Sequence, residues 1–411
     1  MRASCSRVPL TERKRGSVLR KPRSFVAQSG DRPDPRLLAV LSTALFLEVL
    51  FYSALAPLLP SLKVSSSQAS VLVTAYTLAG AVLAPVAALF IARAGTKRAT
   101  TLGLLLLGAG GLLFCAARSY SALLLARSVQ GVAAGLIFPS VFIWLVSITP
   151  ARRRAEILGV GFAAAAAGNV SGPALGALST VVGRVSVFGI AALAALALAI
   201  VLTAEPEQAR ANVRLDVRAT LSSIAVWGAL WLTCIPSMLF GALLVVGPLS
   251  LAALGAGAGA IGAAFTIAAV LGIVMRPAFG RWSDDRANPP RALAYPLMGL
   301  VTTFIALALV HSRWGSASLL SFAVLAVGLL WAPGMSEVAR AADEAKIANV
   351  TSIMLTNIIW TAGLIAGSLP AGLALDVVGA RATYVGLAAT TLAVMGTLFF
   401  YPNRTANEQP V

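Results

Sequence analysis

Long apolar runs, broken by short polar connections, make up most of the chain after residue 36. A helix needs about 20 mostly apolar residues to cross the hydrocarbon core of a bilayer. By that measure the pattern predicts helical spans at 37–61, 68–92, 99–117, 119–146, 156–178, 182–203, 222–247, 259–280, 292–311, 315–336, 348–370 and 381–401. A membrane β-barrel would instead show segments of about ten residues with alternating polarity. Runs such as Gly159–Ala167 and Ala191–Leu202 do not alternate. The expected fold is an all-α membrane protein with twelve transmembrane helices in two six-helix bundles.

The polar breaks set the organisation. The longest, 204–221, follows the sixth span and separates an amino-terminal bundle (37–203) from a carboxy-terminal one (222–401). Paired bundles of this kind form a binding site near the midplane, between the halves. If both termini share one side, the segments on that side hold 25 Lys and Arg residues. The other side holds 5: Lys63, Arg118, Arg184, Arg313 and Arg381. Cytoplasmic loops carry such an excess, so both termini are expected in the cytoplasm and the protein in the cell membrane. Arg127 and Arg276 fall within spans. Residues 1–36 carry ten basic and three acidic residues with no apolar stretch. They read as a disordered tail near anionic lipid headgroups, with an organelle transit peptide as the alternative. Residues 402–411 form a second short tail.

Composition narrows the function. Hydrophobic residues make up 58% of the chain and charged residues only 11%, against about 25% charged in a soluble domain. A soluble enzyme and a disordered chain are both excluded. The three cysteines (Cys5, Cys115, Cys234) are scattered, and His311 is the single histidine. No metal cluster, disulfide framework or catalytic triad is expected from these residues. No phosphate-binding loop is present, so no nucleotide cofactor is expected, and nothing points to nucleic acid as a partner.

A few polar residues lie deep in the spans. Glu48 is the only acidic residue well inside any of them, near the midplane of the first span. Tyr52 sits one turn away on the same face. A carboxyl that alternates between protonated and ionised is the minimum device for proton coupling. The other reading is a permanently neutral glutamic acid that pins helices together. Arg127 lies about eight residues into the fourth span, with Gln130 one turn on. A charge at that depth costs at least ~2.5–3.5 kcal/mol, so it faces a partner or a watery cavity unless it snorkels to the interface. Asn169, Trp231, Phe240, Trp331 and Asn357 are, with Tyr52, the candidates for a substrate cavity. An unpaired amide in lipid is costly, which favours the two asparagines. In the fifth span Gly168, Gly172 and Gly176 recur every fourth residue and form a smooth stripe for close helix packing. Pro173 removes one helix hydrogen bond and invites a bend.

Three segments then resemble one family. Arg127-Ser-Val-Gln130-Gly131-Val-Ala-Ala-Gly135 matches RxxQGxxxG. Gly168-Asn-Val-Ser-Gly172-Pro173-Ala-Leu-Gly176 matches GxxxGPxxG. Arg93-Ala-Gly95-Thr-Lys97-Arg98 keeps the basic half of GxLADRxGRR, although Ala88 and Ala92 replace the Gly and Asp of that pattern. The chain resembles the major facilitator superfamily, and within it the twelve-helix drug:proton antiporters. A weaker echo in the second half is Gly280-Arg-Trp-Ser-Asp284-Asp-Arg286, together with Gly363 and Gly367 as a counterpart of the fifth-span stripe.

The resemblance implies a monomeric exporter of a drug, antibiotic or secondary metabolite in exchange for protons, with Glu48, Arg127 and Gln130 in proton coupling. It also implies gating by the loop and glycine motifs, including Gly131, Asp284 and Arg286, with Ala92 leaving the first loop without its acid. A facilitator or symporter is the alternative within this class. A transport-inactive receptor or scaffold is the alternative outside it.

Overall fold

The computed structural model describes residues 34–150, 153–205, 223–284, 289–345 and 349–398. The amino-terminal tail, most of the central connection, Arg286 and the carboxy-terminal tail lie outside the described residues. Within them the chain is helical and carries no strand. The helices are α1 (Pro35–Ser53), α2 (Ser66–Ala94), α3 (Thr96–Ala116), α4 (Tyr120–Ser147), α5 (Arg154–Val182), α6 (Arg184–Thr203), α7 (Ile224–Ala253), α8 (Ala258–Asp284) and α9 (Ala294–Leu309). α10 comprises Arg313–Leu329 and Trp331–Glu344, and the helix Asn349–Thr397 divides at Gly379 into α11 (349–378) and α12 (380–397).

Polar residues at the run boundaries start these helices. The Asp34 side chain accepts from Arg36 N before α1, where Pro35 supplies a preset φ. Ser65 and Gln68 form a capping box on α2. The hydroxyls of Ser119, Ser223 and Ser312 cap α4, α7 and α10 by accepting from Ala122 N, Val226 N and Gly315 N. The α5–α6 and α11–α12 corners each turn on one glycine at positive φ, Gly183 at 105° and Gly379 at 77°, a region that disfavours any side chain.

Prolines fall at matching places in the two halves: Pro85 in α2 and Pro277 in α8, Pro139 in α4 and Pro333 in α10, Pro173 in α5 and Pro370 in α11. Pro333, lacking an N–H, explains why α10 is interrupted at Leu330. The second segment of α10 carries the helix to Glu344, past the expected end at 336. That extension brings in a second buried acid besides Glu48, one residue past the expected span. Glu337 is buried too, ion-paired to Arg340 on its own helix.

α1 packs along α5, α3 fits between α4 and α6, and α2 lies on α4; α7 packs on α11 and α12 in the same manner. The halves meet mainly through two helix pairs, α2 with α11 and α5 with α8, with smaller contacts from α2 to α7 and from the turn Ala56–Leu62 to α7 and α8. Hydrogen bonds between those pairs lie, among the described residues, toward the face opposite the one that carries Pro35 and Gly95. There the Asp376 carboxylate accepts from Ser66 N (2.9 Å), Ser67 N (2.8 Å) and Ser67 Oγ (2.7 Å). Thr74 and Ser368 share a hydrogen bond of 2.9 Å. Thr266 Oγ1 donates to the Val170 carbonyl at 3.2 Å, and a Cβ on Gly262 would lie 2.8 Å from the Pro173 carbonyl oxygen. Continuing the same face of α8 by two and three turns reaches Ile273 and Pro277, both exposed. The two bundles are therefore sealed at one face and splayed at the basic one.

Candidate functional site

The deep polar residues of the first half converge. α1 brings Glu48 and Tyr52, α2 brings Tyr76, and α4 brings Arg127 and Gln130. The Tyr76 hydroxyl donates to Glu48 Oε1 at 2.6 Å. The Arg127 guanidinium lies over the Tyr76 ring, 4.5 Å from its centroid. It donates to Gln130 Oε1 (2.9 Å) and to the Phe51 carbonyl (3.1 Å). Tyr76 thus bridges the two charges, through its hydroxyl to one and its ring face to the other. A cation on an aromatic face is worth about 2 kcal/mol or more when desolvated. The Tyr52 ring is 5.2 Å from that of Tyr76, and the Tyr52 hydroxyl is buried with no partner among the described residues. Beyond Arg127, side chains including Phe51, Leu55, Phe114 and Phe188 pack without room for a water molecule. Charges in so dry a wall are stabilised by one another and by Tyr76 rather than by solvent.

Glycines let the helices come this close. A Cβ on Gly131 would overlap the Tyr76 carbonyl oxygen, so this glycine sets the distance between α2 and α4 and holds Tyr76 beside Arg127. Gly168, Gly172 and Gly176 lie against α1, where added Cβ atoms would overlap the Phe46 carbonyl, Ser53 Oγ and the Ala54 carbonyl. Ser53 Oγ donates to the Val49 and Gly168 carbonyls. Pro173 stands on the other side of α5 and meets α8 of the second half. Gly363 and Gly367 repeat the stripe on α11, against Cys234, Ser237 and Met238 of α7.

The second-half candidates divide. Phe240 and Trp331 both join Trp360, with ring centroids 6.0 and 4.4 Å from it. All three are half-buried, and the exposed Asn357 lies one turn from Trp360 on α11. Trp231 is elsewhere, donating to Thr397 Oγ1 of α12 at 3.0 Å. Asn169 is half-buried beside Gly168. At the basic face, Gly95 turns α2 into α3 at φ 91°. Lys97 donates to the carbonyls of Thr203 and Glu205 at the end of α6, and Arg93 and Arg98 are exposed. Gly280 packs on Ala332. Asp284 ends α8, and its side chain lies outside the description.

Sequence reading missed Tyr76, Trp360 and Asp376. A tyrosine hydroxyl within a span needs a hydrogen-bond partner, which was the available signal for Tyr76. For Trp360 it was the spacing from Asn357. Asp376 lies between two spans in sequence, and nothing local reveals that it reaches α2.

A sequence profile of the Major Facilitator Superfamily matches residues 40–358. The chain belongs to the Major Facilitator Superfamily. That membership places it among membrane transporters rather than enzymes. It is 30% identical over 178 residues to Multidrug resistance protein 1 of Bacillus subtilis (strain 168), covering 42% of this chain and 46% of that protein. It is 28% identical over 176 residues to Quinolone resistance protein NorA of Staphylococcus aureus, covering 41% and 45%. The match spans a little under half the length of these relatives. Among solved structures, a POT family transporter in complex with a thioalcohol-conjugated peptide superposes with a TM-score of 0.68. The two share 14% identity, and the alignment covers 89% of this chain and 96% of that one. At that identity the likeness concerns the fold.

Proposed function

We propose that this superfamily member exports small, moderately lipophilic organic molecules in exchange for protons, by alternating access of its two bundles. The basic face is the cytoplasmic one, both termini lie there, and the arrangement described above opens toward the cytoplasm of a cell bounded by this membrane. The observation that carries the reading is the Glu48–Tyr76–Arg127 cluster, built on the helix that also seals the opposite face. Tyr76 and Thr74 are two residues apart on α2. One holds Glu48 and the other holds Ser368 across the interface.

The chemistry follows from those contacts. Ionised Glu48 accepts the Tyr76 hydroxyl. When protonated it gains an O–H donor while its carbonyl oxygen still accepts, so the bond from Tyr76 loses its charge assistance and the hydroxyls of Tyr76 and Tyr52 become alternative partners for the new O–H. A shift of Tyr76 moves α2, and with it the seal to α11. Arg127 keeps its place through Gln130 and the Phe51 carbonyl, and it stabilises the ionised state of Glu48 once the proton has left. The resemblance of part of the chain to proteins named for multidrug and quinolone resistance supports an organic cargo. Polyanions are disfavoured, since the spans hold isolated arginines and no basic cluster.

The test is efflux of ethidium from proteoliposomes under an imposed pH gradient. Wild type should extrude the dye in a gradient-dependent manner. E48Q, which keeps the shape but cannot release a proton, should lose that dependence. Gradient-driven efflux by E48Q at the wild-type rate would refute Glu48 as the coupling group.

A further inference from the structure

Arg276 of α8 plays no part in the cluster above, yet it is a charge within a membrane helix. Such charges are costly and mark functional sites unless paired. Among the described residues Arg276 has no hydrogen-bond or ion-pair partner, and its Nε is buried. The buried acid on α10, Glu337, pairs with Arg340 of its own helix.

The fold makes room for this guanidinium. A Cβ on Gly272 would lie 2.8 Å from Arg276 Nε, and one on Gly328 of α10 would lie 2.7 Å from it. The matching prolines align Arg276-Pro277 with Ala84-Pro85 and Gly272 with Gly80. In the first half Gly80 is closed by backbone, its added Cβ lying 2.8 Å from the Gly131 carbonyl oxygen. In the second half the corresponding space holds a side chain. The asymmetry between the halves is thus an added cation with a slot cut for it.

Two further placements show what the slot faces. Gly262 and Thr266 define the α8 face that meets α5, and Ile273, 57% exposed, continues it into the splayed region. Arg276 is three residues on, about 60° around the helix, and so borders the opening between the bundles. On α10, Gly328 and Trp331 are three residues apart and share a face. The guanidinium thus touches α10 one turn from Trp331, a member of the Phe240–Trp331–Trp360 ring cluster.

We propose that Arg276 and this aromatic cluster form one subsite for an aromatic carboxylate, the guanidinium taking the carboxylate and the rings taking the flat apolar body. Arginine donates to a carboxylate through two parallel N–H bonds, and a half-buried site strengthens them relative to water. The assignment rests on the transport reading above and narrows it. It adds molecules carrying a single carboxylate on an aromatic frame to the moderately lipophilic cargo proposed there.

The experiment uses the full chain in phosphatidylcholine nanodiscs. Binding of a 4-quinolone-3-carboxylic acid and of its methyl ester is followed by tryptophan quenching. Wild type should bind the acid roughly tenfold or more tightly than the ester, the loss expected for one charge-assisted pair. R276Q should bind acid and ester alike, at the wild-type ester affinity, and R276K should fall between. W360L should weaken both probes while keeping the preference for the acid. Equal binding of acid and ester by wild type, a retained acid preference in R276Q, or binding of neither probe would each overturn the proposal. Retention of phosphatidylglycerol by wild type but not by R276Q in native mass spectrometry, without an acid preference, would assign the guanidinium to lipid and overturn it as well. Ethidium efflux from proteoliposomes carrying the same purified proteins separates the two readings. If efflux follows the pH gradient while the probes fail, only the subsite falls; if efflux fails too, the transport reading falls with it.

Discussion

Replacing Asp376 by Asn should loosen the seal between the bundles. The carboxylate accepts three hydrogen bonds from the first turn of α2, at 2.9, 2.8 and 2.7 Å, across the interface between the halves. It also sits where the helix dipole favours an anion. Asn retains one oxygen, but its amide group would turn N–H donors toward N–H and O–H donors. Loss of a helix-capping oxygen costs about 0.5–2 kcal/mol, and loss of charge at an exposed helix start costs about 0.3–1 kcal/mol. The site is exposed, so solvent competes and the lower parts of these ranges apply, giving about 1–2 kcal/mol in total. The capping box of Ser65 and Gln68 remains, so α2 itself should stay folded. The energy appears instead in the equilibrium between the sealed and opened states, where 1–2 kcal/mol is about a 5–30-fold change. Spin labels at R118C and R313C, in a background with the native cysteines replaced, report the distance between the halves at that face. D376N should enlarge the long-distance population by roughly that factor, and S67A should do so less. Distance distributions identical to wild type would refute the idea that this carboxylate holds the seal.

The remaining predictions concern the interior. Y76F keeps the ring under Arg127 but removes the donor to Glu48, leaving a buried carboxylate short of a partner at about 1–3 kcal/mol. It should shift the pH dependence of ethidium efflux while preserving expression, and an unchanged pH profile would count against the bridge. G131A forces a methyl group into the Tyr76 carbonyl. It should lower thermal stability by about 1–3 kcal/mol and impair efflux, whereas G159A, where nothing lies within 4 Å, should do neither. G372V places a branched side chain against Ser66 and Ser70 of α2. It should wedge the sealed face open, lengthening the R118C–R313C distance as D376N does.

How much was legible in advance follows from which interactions are local. Run lengths, caps and the basic bias belong to the chain itself, because each helix meets lipid along its own length and must satisfy its backbone internally. The twelve helical runs, the all-α fold and the family could therefore be read from residues in order. Glu48, Arg127 and Gln130 could also be singled out, since a polar side chain in an apolar run stands out without reference to its neighbours. Their arrangement could not. Tyr76 becomes the bridge because Gly131, on another helix, lets α2 approach α4. Trp360 gathers Phe240 and Trp331 because the glycines of α11 lie flat on α7. Asp376, over three hundred residues from Ser67 in sequence, caps α2 because the halves close at that face. The end of α10 was misplaced because an amphipathic segment looks like a loop to a hydropathy count, although packing buries Glu337 beside Arg340. Sequence by itself determined which residues form the long apolar helices and which of them carry charge. The tertiary structure alone decided which charges share a site, because that depends on helix contacts between residues far apart in the chain.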